Sequence, residues 1–200
     1  MVAMELSEVL RRRRMVRDFD DRPIPADVVE RVLASAVRAP SAGFTQGWDL
    51  LVLEGPEQTG RFWAASAPGD GGRARSRWPG VVRAPLLVVV LSSEAAYRAR
   101  YAEADKAHLD VGGGEWPVPW WHVDAAFASL LILLTAVDEG LGALFFGVSD
   151  ADALRAAFAI PAGHAPVGAM AVGYARPDRP SSSVARGRRP FDQVVHRGHW

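Results

Sequence analysis

The sequence contains no cysteine and almost no lysine, since Lys106 is the only lysine among 23 basic residues. The absence of cysteine excludes disulfides, thiolate metal ligands and a cysteine nucleophile, and it agrees with a reducing compartment. Basic and acidic residues balance to a formal charge of zero, so the overall charge gives no reason to expect a nucleic-acid or anionic-membrane partner. Any electrostatic function must therefore depend on local groups of arginines.

Long hydrophobic runs are also missing. The longest apolar stretch, Ala125 to Val137, has about 13 residues, whereas a helix needs ~20 to span a bilayer. The N-terminal segment carries acidic residues before its basic run, and no apolar region typical of a secretory signal follows it. We therefore expect a cytoplasmic protein.

Glycine motifs that bind nucleotides are absent as well. No Gly-x-Gly-x-x-Gly follows the first predicted strand, and no Gly-x-x-x-x-Gly-Lys occurs. These absences disfavour a Rossmann or P-loop nucleotide site.

The length and the periodicity predict a single domain over residues 1–200. Two hundred residues, 49% of them apolar, can bury one sizeable core. Buried strands are predicted at residues 50–53, 86–91, 143–148 and 167–174. Helices are predicted before the arginine run, at 28–37, through Phe62 and Trp63, at 121–139 and at 150–158. The pattern indicates a mixed α/β or α+β fold, with a small central sheet flanked by helices.

Three segments fall outside this regular pattern. Residues 177–200 are rich in Ser, Arg and Pro and cannot form a core alone, so we expect an extended C-terminal arm. The irregular stretches Pro68–Gly80 and Asp110–Pro119 carry tryptophans, including Trp78 and Trp116. We expect them to frame a substrate entrance; the alternative is that the tryptophans only pack these loops onto the body.

Two clusters of arginine are the main candidates for binding chemistry. The first runs from Arg11 to Arg17, and the second is Arg186-Gly187-Arg188-Arg189. Guanidinium groups spaced by a glycine can converge on one phosphate through charge-assisted hydrogen bonds. The alternatives are a solvated helix end, where positive charge favours the helix dipole, and a disordered basic tail. Nucleic-acid binding is disfavoured, because no basic patch with interleaved aromatics accompanies the clusters.

A third candidate is the loop from Ala39 to Trp48, which leads from a helix to a strand. It presents small, hydrogen-bonding and planar groups in succession. Such a loop could lie against a flat ring system and donate hydrogen bonds to its polar edge. The alternative is an ordinary connection between two elements.

Together these segments resemble the flavin mononucleotide (FMN)-binding nitroreductase family. Its members carry an Arg-x-Ser-x-Arg-like start, a Pro-Ser-x-x-Asn-x-Gln-Pro-Trp loop, a helix ending in Gly-Leu-Gly and a late basic pair. In this chain the helix beginning near Asp124 ends at Gly140-Leu141-Gly142. The resemblance implies a nitroreductase-like fold, a homodimer and FMN as cofactor. It also implies hydride transfer from NAD(P)H through the flavin to a small electrophile such as a nitroaromatic or a quinone.

The resemblance also assigns the arginines. Arg13 is expected at the flavin phosphate and Arg17 near the pyrimidine end, where it would stabilise negative charge on reduction. Arg14 and Met15 complete the N-terminal motif. The late basic pair, expected to close on the same phosphate, corresponds to Arg186 and Arg188.

Further cofactor contacts are implied by the loop and by the end of a strand. The loop, which in this family reaches a flavin held mainly by the other subunit, contributes Pro40, Ser41, Ala42, Phe44 and Gln46. The positions that cover the isoalloxazine are Phe145, Phe146 and Gly147.

No general acid, general base or metal site is predicted. His122, beside Asp124, could serve as an acid or base, but a helix-capping or surface role is the stronger interpretation. The spacing of the remaining histidines does not suit a metal site.

The sequence departs from the family pattern at three positions. Met15 replaces the usual Ser, Phe44 the usual Asn and Gly47 the usual Pro. The first two changes remove up to two hydrogen bonds to the cofactor, each worth about 0.5–1.5 kcal/mol, and Phe44 could instead stack on or shield the ring. The Pro-Ser-x-Gly-Phe segment is also similar to the flavin-fragmenting synthase that makes the lower ligand of cobalamin. That synthase and a non-enzymatic flavin-binding protein are the alternative functions.

Overall fold

The computed structural model describes residues 4–66, 78–109, 116–179 and 181–200. Within these ranges the chain forms six α-helices and four β-strands. The helices are α1 (Leu6–Arg12), α2 (Ala26–Ala36), α3 (Gly55–Ser66), α4 (Glu94–Tyr101), α5 (Trp120–Asp138) and α6 (Ala151–Phe158). The strands are β1 (Trp48–Glu54), β2 (Leu86–Ser92), β3 (Gly142–Phe146) and β4 (Ala165–Gly173).

The four strands form one antiparallel sheet in the order β1-β2-β4-β3. Strand β2 lies at its centre, where Leu86 pairs with Glu54 of β1 and with Val172 of β4. All seven residues of β2 are buried. This explains the continuous apolar run in its sequence, because a strand covered on both faces has no polar side.

Alternate residues of β2 enter two hydrophobic clusters, one on each face of the sheet. Val88 belongs to the cluster that holds buried residues of α2 and α5, and Val89 belongs to the cluster that holds those of α3 and α6. Side chains of successive strand residues point to opposite faces, so a single strand contributes to both cores. The predicted small sheet flanked by helices is confirmed.

Helix α5 is the central element of the first cluster. Its buried residues are Asp124, Ala125, Ala128, Ser129, Ile132, Leu133 and Ala136. Among the described helices it is the one long and apolar enough to cross a membrane by length and composition. In the structure, however, it packs against α2 and the sheet, which accounts for much of its apolar character.

The sequence pattern missed one helix, α4. Only Tyr97 of its eight residues is buried, so the apolar periodicity that identifies a helix is absent. Its one local signal is Ser93, whose side chain accepts a hydrogen bond from Ala96 N at 3.3 Å, as an N-cap residue does.

Most of the two irregular stretches expected to frame an entrance lies outside the described residues.

The C-terminal arm exposes apolar side chains. From residue 182 to residue 200 every residue is exposed, including Phe191 at 72% and Trp200 at 96%. Large apolar groups in such positions commonly mark a surface that another chain covers.

A buried valine of β2 should be far more sensitive to truncation than an exposed one. Val88 is 0% exposed and Val37, at the end of α2, is 65% exposed. Val88→Ala removes two methyl groups and leaves a cavity, so we expect a loss of about 2 kcal/mol in unfolding free energy. The matched Val37→Ala change should cost less than about 0.5 kcal/mol. Urea unfolding followed by circular dichroism measures both, and equal losses would contradict the packing described.

Candidate functional site

The N-terminal arginine segment runs along the outer edge of the sheet. Met15 forms a parallel bridge with Ala143 of β3, and Val16 N donates to Ala143 O at 3.0 Å. Gly142 is required at this approach, because a Cβ there would lie 2.7 Å from Val16 Cγ2. The glycine that ends the Gly140-Leu141-Gly142 motif therefore allows the arginine segment to pack against β3.

Three arginines of this segment are already paired within the chain. Arg11 and Arg12 both bind Glu8, on the exposed side of α1. Arg14 forms an ion pair with Asp178. These two carboxylates, Glu8 and Asp178, offset two of the five positive charges that made the cluster conspicuous in the sequence.

Two arginines of the segment remain without a carboxylate partner in the described parts of the chain. Arg13 is half-buried. Arg17 donates from Nη1 to Met15 O at 3.0 Å, and its guanidinium lies 5.2 Å from the centroid of the Trp78 ring. Arg17 thus has a fixed position but keeps its positive charge unneutralised.

Asp178 is a structural residue that the sequence interpretation missed. Its carboxylate accepts a hydrogen bond from Arg17 N at 2.6 Å in addition to the ion pair with Arg14, and its side chain is only 5% exposed. These contacts join the start of the C-terminal arm to the N-terminal arginine segment. They span 161 and 164 positions of sequence, so no local pattern could have revealed them.

In the described parts of the chain, no side-chain hydrogen bond or ion pair joins the late basic pair to the first arginine cluster. Arg186 and Arg188 are exposed, and neither side chain has a hydrogen bond or ion pair there. The expected convergence on one phosphate stays a prediction.

The loop between α2 and β1 has an unusual backbone. Gly43, Phe44 and Gln46 have φ values of 62°, 54° and 53°. Glycine adopts this left-handed region readily, but each of the other two residues there costs of order 1–3 kcal/mol. Such a conformation persists only where the surroundings hold it.

Several hydrogen bonds hold this loop. Ser41 Oγ accepts from Gln46 N at 3.0 Å, and Thr45 Oγ1 donates to Ala42 O at 2.6 Å. Ala42 N donates to Asp124 Oδ2 at 2.7 Å. Pro40 and Gln46 are exposed, and Phe44 is 77% exposed, so the loop presents its polar and aromatic groups outwards.

Asp124 also accepts a hydrogen bond from the hydroxyl of Tyr97, at 2.6 Å. Burial and this carboxylate raise the pKa of Tyr97 above its ordinary value. The hydroxyl therefore remains a donor throughout the neutral range. Asp124 was noted in the sequence only as the start of a helix.

The residues expected to cover the flavin ring lie at the end of β3. The ring of Phe145 fills the space above Gly168, where a Cβ could not fit. Phe146 stacks on Trp63, with centroids 5.4 Å apart and an interplanar angle of 10°. Gly147 is exposed and has open space around it. The two phenylalanines thus belong to opposite faces of the sheet, and only Gly147 is free of core contacts.

The remaining candidates from the sequence are Trp116, His122 and a metal site. Trp116 packs edge-on against Tyr97 and Tyr101, which favours packing over an entrance role. His122 is exposed, with Nδ1 3.0 Å from Ser92 Oγ. Within the described residues no group of three or more His, Asp or Glu could hold a metal ion.

Asp178 offers a test of how the arginine segment is fixed. Asp178→Ala removes the acceptor of Arg17 N, and an unsatisfied buried donor costs about 1–3 kcal/mol of stability. Asp152→Ala is the control, since Asp152 pairs with Arg155 but is 95% exposed and should cost less than about 1 kcal/mol. Urea unfolding measures both. Equal losses would mean that Asp178 does not fix the segment.

Two curated proteins are similar to this chain in sequence. The chain is 25% identical over 175 residues to a candidate NADH dehydrogenase/NAD(P)H nitroreductase of Methanothermobacter thermautotrophicus, covering 86% of this chain and 78% of that protein. It is 25% identical over 190 residues to an NADPH-dependent oxidoreductase of Staphylococcus aureus, covering 94% of this chain and 71% of that protein.

Solved structures share the fold. A candidate nitroreductase of Exiguobacterium sibiricum, crystallised in complex with FMN, superposes with a TM-score of 0.75 at 18% identity over 98% of both chains. A nitroreductase family protein of Clostridium difficile has a TM-score of 0.71 at 20% identity, over 98% of this chain and all of its own. The model of the nitroreductase family matches residues 10–174, and the chain therefore belongs to that family.

Proposed function

We propose that this protein is an FMN-dependent oxidoreductase that transfers hydride from NAD(P)H to a small electrophilic acceptor, either nitroaromatic or quinone-like. The observation that carries the proposal is the pairing of the arginines. Of the five in the N-terminal segment, those that pair with a carboxylate within the chain are Arg11, Arg12 and Arg14. The two without a carboxylate partner in the described residues, Arg13 and Arg17, are those that the family resemblance places at the flavin.

The residues present suit a flavin mononucleotide. Arg13, Arg186 and Arg188 have no carboxylate partner in the described parts of the chain, and a phosphate dianion is the group that unpaired guanidinium groups bind best. Arg17 is held by Met15 O and by the Trp78 ring. A fixed cation suits the pyrimidine end of the flavin, because it can stabilise negative charge there without rearranging.

The departures from the family pattern also have a structural consequence. The side chain of Met15 packs against both hydrophobic clusters, so this position supplies apolar contacts in place of a hydroxyl. Phe44 is 77% exposed and presents a ring in place of an amide. The loop therefore offers the cofactor an apolar surface next to the polar groups of Ser41 and Gln46.

When bound, FMN supplies the hydride chemistry between the nicotinamide and the acceptor, and the protein supplies position and charge. Arg13 and the late basic pair hold the phosphate. Arg17 sets the electrostatic environment of the ring system. The relative from Staphylococcus aureus is an NADPH-dependent oxidoreductase and the Exiguobacterium sibiricum structure contains FMN, which supports both halves of the proposal.

We infer a homodimer with two flavin sites at its interface. On α5, Phe127 is 42% and Leu130 45% exposed, although seven other residues of that helix are buried. The arm adds Phe191 and Trp200 to the exposed apolar surface. A second copy of the chain could cover both regions, and it would also bring the exposed loop to the flavin held by its partner. Obligate interfaces of this kind commonly exceed ~2,000 Å².

A second candidate is the flavin-fragmenting synthase, and the Gly43-Phe44 pair favours it. The Phe44 ring is exposed where the nitroreductase pattern has an Asn, and it could close over the flavin and leave no room for a second substrate. Incubation with reduced FMN and oxygen, followed by mass spectrometry for dimethylbenzimidazole, separates the two. Turnover of a nitroaromatic with NAD(P)H supports the oxidoreductase, and binding of FMN without either reaction indicates a flavin-binding protein.

The phosphate clamp predicts that arginines from both ends of the chain retain the cofactor. Arg13→Ala and Arg188→Ala should each weaken FMN binding at least tenfold, as expected for a charged hydrogen bond worth ~1.5–3 kcal/mol. Arg61→Ala is the control, because Arg61 lies on α3 and bonds Ala157 O. Flavin fluorescence titration gives the three dissociation constants. Wild-type affinity in both clamp variants would remove this role from the arginines.

The dimer can be tested through α5. Phe127→Glu places a charge on the exposed apolar stripe and should shift the protein from dimer to monomer at micromolar concentration, with loss of FMN. Ala156→Glu introduces the same charge at an exposed position of α6, a helix that packs against α3. This change should leave the dimer intact. Sedimentation velocity reports the mass. A wild-type monomer that still holds FMN would overturn the inference.

A further inference from the structure

We propose that Asp124 and Tyr97 are positioning residues that fix the loop of residues 40–47 in its flavin-binding conformation before the cofactor arrives. The inference rests on the proposed function and deepens it, because neither residue belongs to the expected flavin contacts. It assigns a purpose to a buried carboxylate and to helix α4.

Three elements of the structure meet at one oxygen atom. Asp124 Oδ2 accepts from Ala42 N at 2.7 Å and from Tyr97 OH at 2.6 Å. Ala42 belongs to the loop, Tyr97 to α4 and Asp124 to α5. Asp124 is 2% exposed and Tyr97 is fully buried, so water does not compete for these bonds.

The loop has a backbone conformation that needs support from its surroundings. Its left-handed residues, Gly43, Phe44 and Gln46, include two that disfavour this backbone conformation, so a free loop would relax. The bond at Ala42 N holds the residue directly before them. A loop released at that point loses its bond to α5 and has fewer contacts left to hold Phe44 and Gln46 in this conformation.

Helix α4 packs behind the loop through the rings of Tyr97 and Tyr101, which form a wall there. A Cβ on Gly43 would lie 2.8 Å from Tyr101 Cε2, and one on Gly47 would lie 2.5 Å from Tyr97 Cε2. Arg100 Nε donates to Gly43 O, and Ser93 N donates to Gly47 O, at 3.0 and 2.9 Å. The loop backbone is therefore in direct contact with both tyrosine rings.

The wall itself is rigidly supported. Trp116 contacts the rings of Tyr97 and Tyr101, and Trp121 contacts those of Tyr97 and Trp116. Edge-on aromatic contacts of this type fix ring positions. Trp116, which was expected to frame a substrate entrance, thus lies behind the loop together with Trp121.

The loop of residues 40–47 is therefore preorganised for flavin binding. The loop reaches the flavin with its exposed Phe44 ring and its polar groups already placed, so binding does not have to order it. Loss of the Asp124 contact should loosen the loop in the flavin-free protein and weaken flavin binding as a result.

The test compares four variants by hydrogen-deuterium exchange of the flavin-free protein and by FMN titration. Asp124→Leu and Tyr97→Phe should raise exchange over residues 42–47 at least tenfold and raise the FMN dissociation constant by a similar factor. Asp124→Asn should lie close to wild type, because one amide oxygen can accept both bonds. Ser129→Ala is the control, since Ser129 is a buried polar residue of α5 whose hydroxyl donates to Ala125 O within the same helix.

The readouts separate this inference from the proposed function. If wild type binds FMN but Tyr97→Phe and Asp124→Leu match it in both loop exchange and affinity, the positioning role is overturned. Tyr97→Phe keeps the ring in the core, so it remains informative if Asp124→Leu fails to fold. If wild type binds no FMN, the proposed function is overturned, whereas faster loop exchange in the variants would still show that Asp124 holds the loop.

Discussion

The buried carboxylate of Asp124 ties the loop after α2 and helix α4 to helix α5. A carboxylate placed among apolar side chains is costly unless donors surround it. Here the donors come from a tyrosine on α4 and from the loop after α2. Satisfying one group on α5 therefore dictates where two other elements lie. One face of the same helix packs in the core on one side of the sheet, and another face of the helix exposes Phe127 and Leu130.

The backbone elements that could be predicted from the sequence are those whose burial leaves a strong local pattern. Strand β2 is buried on both faces and shows an uninterrupted apolar run, so its position was predicted within about a residue. Helix α5 was predicted for the same reason. Helix α4 was missed, because it buries only Tyr97 and otherwise presents charged and small residues. Its purpose depends on contacts with Gly43 and Gly47, which no local pattern encodes.

The candidate site divides in the same way. The arginine clusters and the loop were visible as motifs, since their residue types are unusual in succession. Asp178 and Asp124 were not recognised as partners, because Asp178 bonds groups 161 and 164 positions away and Asp124 bonds groups 27 and 82 positions away. The two phenylalanines of β3 were assigned together by resemblance. The structure separates them, because neighbouring strand residues face opposite cores.

Pairing within the fold is what distinguishes arginines that stabilise the protein from those available to a ligand. Arg11 and Arg12 share Glu8, a local partner on α1, whereas Arg14 needs Asp178 from the far end of the chain. Asp178 in turn holds Arg17 N and thereby fixes the backbone from which the unpaired Arg17 guanidinium projects. Asp178, which forms an ion pair with Arg14, thus also helps to position the charge of Arg17. The C-terminal arm, which begins at this contact, carries the second arginine cluster, so Asp178 joins the two segments that carry the arginines assigned to the phosphate.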